Sequence, residues 1–156
     1  MLRPDGQPGI YGVVETPVAT GVVALTDADE VVLVGQWRYA LHGWSWEIIE
    51  GGSEPGEPPL EAARRELREE GGLVAAHWSP LGGEVHLSNS FTDERAHVFL
   101  ATELSEVEAE PDATEVLELR REPLPACLEM VDSGEITDAM TIIALLRLDR
   151  MRRAGR

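Results

Sequence analysis

The sequence predicts a mixed α/β domain. Three observations carry that expectation: β-branched runs separated by turn residues, an amphipathic helix that follows a strand and a glycine-rich loop, and two helical segments that close the chain. No low-complexity segment, internal repeat or shift in composition interrupts the 156 residues, so residues 1–156 are expected to form a single domain.

Each element has a local cause. "PVATGVVAL" and "EVVLVGQWRY" are β-branched runs joined by the turn-like "TDADE", which predicts a hairpin. "WSWEIIE" predicts a short strand, closed by Gly51-Gly52. "SEPGEPP" reads as a loop, with Pro58 and Pro59 suited to the first turn of a helix. From Leu60 to Glu70 the pattern turns helical, with Leu60, Ala63 and Leu67 on one stripe, and Gly71-Gly72 stops it as a C-terminal cap does. "LGGEVHL" and "RAHVFLATEL" predict further strands, "SEVEAEPDA" an acidic loop, and "TEVLELR" a half-buried strand. "LPACLEMVDSG" and "DAMTIIALLRLDRMRR" predict the two closing helices.

Charge and composition exclude several functions. Lys and Arg number 13 against 29 Asp and Glu, a formal net charge of −16 that repels nucleic acid phosphates. The one dense basic stretch, "RLDRMRRAGR", fits the C-terminal end of a helix, where cations complement the dipole. No nucleic acid partner is expected. No run approaches the roughly eighteen apolar residues of a membrane span, so no membrane partner is expected. The N-terminus lacks the basic-then-apolar pattern of a secretory signal. Cys127 is the single cysteine, which rules out an internal disulfide and points to the cytoplasm.

"RRELREEGGL", residues 64–73, crowds Glu66, Glu69 and Glu70 on one helix. Like charges at these spacings cost roughly 0.2–0.5 kcal/mol per pair. At about 100° per residue from Leu60, the apolar stripe falls near 300–340°, and Glu70, Glu66 and Glu69 near 280°, 240° and 180°. The carboxylates therefore form a band at the lip of the core, where a divalent cation relieves their repulsion. Hard oxygen ligands suit Mg²⁺ or Mn²⁺. Taken alone, E-x-x-E-E also fits a solvated face, with Arg65 and Glu69 as an i,i+4 pair.

The wider frame decides between these. Gly51, five residues, Glu57, seven residues and then Arg65-Glu66-Leu67-Arg68-Glu69-Glu70-Gly71-Gly72-Leu73 resembles the Nudix box, G-x5-E-x7-R-E-U-x-E-E-x-G-U. Every specified position from 51 to 73 matches, and chance agreement at these positions is on the order of one in a million or rarer. The resemblance implies an α/β/α sandwich with a mixed β-sheet, whose loop-helix-loop box binds divalent metal. It implies hydrolysis of nucleoside diphosphate derivatives at a phosphoanhydride bond. Glu66, Glu69 and Glu70 match the metal-binding glutamates, and the Gly51 carbonyl matches the backbone ligand. Arg65 and Glu57 match the positions that orient the cluster.

Outside the box, "GQWRY" and "FTDERAHVFLATEL" resemble segments of the ADP-ribose and nucleotide-sugar pyrophosphatases of this family. Two departures stand out. Asn89 occupies a position where those enzymes carry proline, and Ile49-Glu50 replaces Pro-Ala just before the box. Arg38 is the candidate phosphate contact, since its fork matches phosphate oxygens, although a local acid could claim it instead. Trp37, Trp44 and Trp46 crowd nearby, and Trp44 is the candidate to stack on a base. The family's water-activating glutamate matches Glu115 by position, and Glu94 is a further acidic candidate at the substrate. The four histidines show no ligand spacing. Triphosphate hydrolysis and non-catalytic nucleotide sensing are the alternative functions. In ADP-ribose pyrophosphatases N-terminal elements commonly complete the site across a dimer, so the leader "GIYGVVETPVA" implies a homodimer.

Overall fold

The computed structural model describes residues 1–109 and 116–155. In chain order the elements are β1 (Ala19–Ala24), β2 (Glu30–Arg38), β3 (Gly43–Glu47), β4 (Ile49–Gly52), α1 (Pro59–Glu69), β5 (Leu73–Pro80), β6 (Val85–His86), β7 (Arg95–Glu106), β8 (Glu118–Pro123), α2 (Leu124–Ser133) and α3 (Ala139–Arg153). A mixed sheet runs β4-β1-β7-β5, with β6 also on β7, and a three-stranded antiparallel sheet runs β3-β2-β8. In the mixed sheet β1 lies parallel to β7 and antiparallel to β4.

Strands β1 and β2 are buried on both faces, which is why they read as unbroken apolar runs. Val22, Ala24, Val32 and Val34 pack with Ala63 and Leu67 of α1 on one side. Val23, Val31 and Leu33 pack on the other side, with Leu124, Cys127 and Met130 of α2 and Ala144, Leu145 and Leu148 of α3. The result is an α/β/α sandwich.

Several elements differ from the expectation, each for a physical reason. β1 and β2 are not a hairpin: β4 and β7 occupy both edges of β1, and β3 and β8 both edges of β2. Only an isolated bridge, Leu25 to Val31, joins them. "WSWEIIE" is two strands, because the chain changes sheets at Ile48. The Ile48 amide there donates to Thr141 Oγ1 of α3 at 3.0 Å. "LGGEVHL" is strand only at Val85–His86, since the Leu81 and Gly83 carbonyls accept from Arg147 instead. β5 was not foreseen. It pairs with β7 and is largely exposed, so it lacks a sustained apolar alternation.

Helix α1 begins at Pro59 and ends before Gly72, whose φ of 59° is left-handed. Among the described residues no helix is long and apolar enough to cross a membrane.

Ile48 and Thr141 are both fully buried. Thr141→Val keeps the shape but strands the Ile48 amide, and is expected to cost about 1–3 kcal/mol. The measurement is a lower urea midpoint at unchanged m-value, with Thr141→Ser close to wild type.

Candidate active site

The site starts from a close approach between α1 and β4. A Cβ built on Gly51 would lie 2.2 Å from the Glu66 carboxyl carbon, so any side chain there would displace Glu66. Glu66 and Glu70 are each only 9% exposed, while Glu69 is half-buried. The two carboxylates nearest the apolar stripe are thus the buried ones, and Glu69, farthest from it, is the more exposed. Glu70 Oε2 accepts from the Glu50 amide at 3.4 Å, a long contact that turns it toward β4.

Arg65 gathers the rest of the box. Its Nη1 donates to Glu66 Oε1 at 2.6 Å and Glu69 Oε2 at 2.9 Å. Its Nη2 donates to the Gly52 carbonyl at 2.9 Å, and Nε and Nη2 fork onto Glu57 at 3.2 and 3.1 Å. Glu57 also accepts from the Glu54 amide at 2.8 Å, closing the loop that leads into α1. The Glu57 bond, helped by Glu66 and Glu69, raises the Arg65 pKa further above its ordinary value. Arg65 in turn, with the Glu54 amide, holds the Glu57 carboxyl below the usual range.

The donor set suits a hard divalent cation: carboxylate oxygens of Glu66, Glu69 and Glu70 beside the Gly51 carbonyl, with a cradle at Gly51 that a Cβ would fill. Among the described residues no three acidic, His or Cys side chains already converge on a common point. Arg65 bridges Glu66 and Glu69, so the cluster is held together by a guanidinium.

Beside this cluster opens a cavity of about 800 Å³, bordered by Gly51 and Gly52 on one side and Arg38, Glu47 and Asp138 on others. Such a volume lies within the roughly 300–1,000 Å³ of small-molecule sites. Arg38 forks onto Glu47 at 3.0 and 2.5 Å, and Gln36 adds a bond at 3.3 Å. Glu47 is 2% exposed, and the fork offsets its burial. Glu50 follows on the same wall. Burial, reinforced by Asp138 and Glu47 and opposed by Arg38, pushes its carboxyl well above the ordinary range. Asp138 caps α3, accepting from the Thr141 amide at 2.7 Å.

Comparison with known proteins decides the family. The NUDIX domain model matches residues 15–139. The chain belongs to the Nudix family. It is 38% identical over 144 residues to an ADP-ribose pyrophosphatase of Bacillus subtilis (strain 168), covering 91% of this chain and 77% of that protein. It is 35% identical over 138 residues to an ADP-ribose pyrophosphatase of Mycobacterium tuberculosis (strain ATCC 25618 / H37Rv), covering 86% and 66%. A solved structure described as an ADP compounds hydrolase superposes with a TM-score of 0.84 at 24% identity, covering 99% of this chain and 84% of that one. That likeness concerns the fold.

Within this Nudix fold, Glu57, Arg65, Glu66 and Glu69 come together with Gly52, and Glu70 lies beside β4. Arg38 and Glu94 both line the cavity. Trp44 is not among its lining residues. It lies on the opposite face of β3 from Ser45 and Glu47, edge-on to Trp46 at 6.1 Å. Glu115 lies outside the described residues. Glu47, Glu50, Ser45 and Asp138 were not singled out from the sequence. The available signal was register: Gln36 pairs with Ser45 and Arg38 with Gly43, so Gln36, Arg38, Ser45 and Glu47 share one hairpin face.

The Glu57 carboxyl carries a pH dependence of known sign. Its folded-state value lies below the unfolded value of about 4.3, so its contribution is complete above that pH. It is lost as pH falls through the folded value. Glu57→Gln is therefore expected to lower stability at pH 7, with a smaller gap to wild type at pH 3. Urea denaturation at both pH values checks this, and an undiminished gap at the lower pH would refute it.

Proposed function

We propose that this Nudix hydrolase cuts the diphosphate bond of nucleoside diphosphate derivatives, with ADP-ribose or a nucleotide sugar as substrate, releasing two phosphomonoesters. The observation that carries the reading is the glutamate band of α1 packed onto Gly51, which itself borders the cavity. The ADP-ribose pyrophosphatases at 38% and 35% identity support the choice of substrate. Glu66, Glu69, Glu70 and the Gly51 carbonyl would hold Mg²⁺ or Mn²⁺. Bound there, such an ion supplies polarisation of the phosphoryl oxygens and a lowered pKa for a coordinated water.

The chain's own residues do the positioning. Arg65 and Glu57 fix the loop and the start of α1, so the carboxylates keep their spacing. Arg38, whose Nε and Nη2 are held by Glu47, lines the cavity wall and would meet the phosphates with its Nη1. We assign the water-activating base to Glu115, on its place in the sequence ahead of β8, with Glu94, which lines the cavity, as the other acidic candidate.

The exposed apolar side chains of Ile10, Tyr11, Val13, Val14 and Phe91 support a homodimer built on the leader. Backbone bonds from Val14 to Phe91 at 2.8 Å and Asp93 to Val14 at 3.2 Å hold that leader against the loop carrying Glu94. A cytoplasmic location accords with the lone Cys127.

Turnover of ADP-ribose, nucleotide sugars and nucleoside triphosphates, with and without chelator, tests the function. Chelation is expected to abolish hydrolysis and added Mg²⁺ or Mn²⁺ to restore it. Glu66→Gln and Glu70→Gln should each lose more than the roughly 10–100-fold typical of outer-shell changes, with thermal unfolding still cooperative. Wild-type rates in Glu70→Gln would defeat the metal assignment. Light scattering should give a mass twice the 17.1 kDa of one chain. A monomeric mass at working concentration would remove the dimer.

A further inference from the structure

Buried polar atoms without partners are few in native proteins, and each calls for a cause. Among the described residues four buried side-chain oxygens lack a hydrogen-bond partner: Thr16 Oγ1, Ser45 Oγ, Glu50 Oε1 and Ser53 Oγ. They are not scattered. Thr16, Ser45 and Glu50 all line the cavity beside the glutamate band, and Ser53 follows its lining residue Gly52 in the chain. Ser45 is 3% exposed, so bulk solvent does not satisfy its hydroxyl. Three of the four therefore face one cavity, although Glu47 and Asp138 on the same wall are hydrogen-bonded.

The unpaired atoms define what would complete them. Ser45 and Thr16 carry hydroxyls that both donate and accept, and Glu50 presents a carboxyl oxygen. Glu47 and Asp138 border the same wall. A phosphate only accepts: Arg38 and the two hydroxyls could serve it, but the carboxyl oxygens of Glu47, Glu50 and Asp138 would receive no hydrogen bond from it. An alkyl group would leave every atom unpaired. A sugar's hydroxyls both donate and accept, which matches the chemistry of the set. The location fits as well, because Glu50 directly precedes Gly51 and its amide reaches Glu70 Oε2. A group held here sits next to whatever the glutamates hold.

We propose that Ser45, Glu50 and Thr16 form a hydroxyl-recognising subsite that holds the second sugar of a nucleoside diphosphate sugar beside the diphosphate. This rests on the hydrolase reading above for the identity of the diphosphate. The subsite selects substrates by the group beyond the second phosphate, and Glu50 and Ser45 are its specificity-determining residues.

Binding separates the subsite from the chemistry. Calorimetry with Ca²⁺ in place of Mg²⁺ compares ADP-ribose, the ethyl ester of ADP, and an ADP ester ending in a primary amine. Wild type is expected to bind ADP-ribose at least about tenfold tighter than the ethyl ester, the scale of a hydrogen bond to a charged group. Glu50→Ala and Ser45→Ala should each shrink that ratio toward one while changing ethyl-ester affinity less than about threefold. Ser45→Ala serves as the milder variant if Glu50→Ala unfolds early in a thermal melt. Equal wild-type affinities for ADP-ribose and the ethyl ester would overturn the subsite. So would variants that weaken both ligands alike, which would make Glu50 a support for the glutamate loop. Tightest binding of the amine would replace hydroxyl recognition by cation recognition and also overturn it. Retained discrimination without any turnover would support the subsite and defeat the hydrolase reading alone.

Discussion

The approach of helix α1 to strand β4 at Gly51 is the contact on which the site depends. The helix packs Ala63 and Leu67 against Ile49, and that packing brings its next stripe onto the strand backbone. Glu66 then lies where a Cβ on residue 51 would be, so only glycine permits the contact. Burying a carboxylate this way is unfavourable unless it is paired and hydrogen-bonded. Arg65 answers that requirement, and because its fork also takes Glu57, Glu69 and the Gly52 carbonyl, it ties the loop before the helix to the carboxylates. One steric constraint thus accounts for the glycine, the arginine and the distant Glu57 together.

The change of sheet at Ile48 explains the opposite wall. In an unbroken strand, residues 47 and 50 would point to opposite faces. Here β3 ends at Glu47 and β4 begins at Ile49, with Ile48 buried in one core and Ile49 in the other. The break brings Glu47 and Glu50 onto a single cavity, with Ser45 on the same side of β3 as Glu47. Thr141 takes the amide that neither sheet pairs, so α3 is anchored where its N-terminal residues complete the cavity.

What could be read in the sequence followed the range of its causes. The helix around Glu66 depends on spacing within about two turns, and the deeper burial of Glu66 and Glu70 than of Glu69 follows from helical angles. The closing helices likewise carry local signals, such as the Asp138 cap and the left-handed Gly134. The pairing of β1 with β7 has no such signal, because two adjacent apolar strands look the same whether they form a hairpin or enter different sheets. The sequence leaves Arg38 open between phosphate and a local acid, and only the register of β2 on β3 puts it against Glu47. The four unpaired oxygens are a property of three-dimensional packing and cannot be counted along a chain.

The charge of the site completes its logic. Arg65 is engaged by Glu57, Glu66 and Glu69, and Arg38 by Glu47, so the guanidiniums at the site are already matched by carboxylates. Glu50 and Asp138 add carboxyl groups to the same cavity wall, within a chain of formal net charge −16. A diphosphate approaching this wall meets a field of its own sign. A cation held at the glutamate band would reverse that field locally, and would compete with Arg65 for Glu66 and Glu69. A metal in such a site would then be first a condition for binding an anion at all, and a release of Arg65's grip on two of its acids would accompany it.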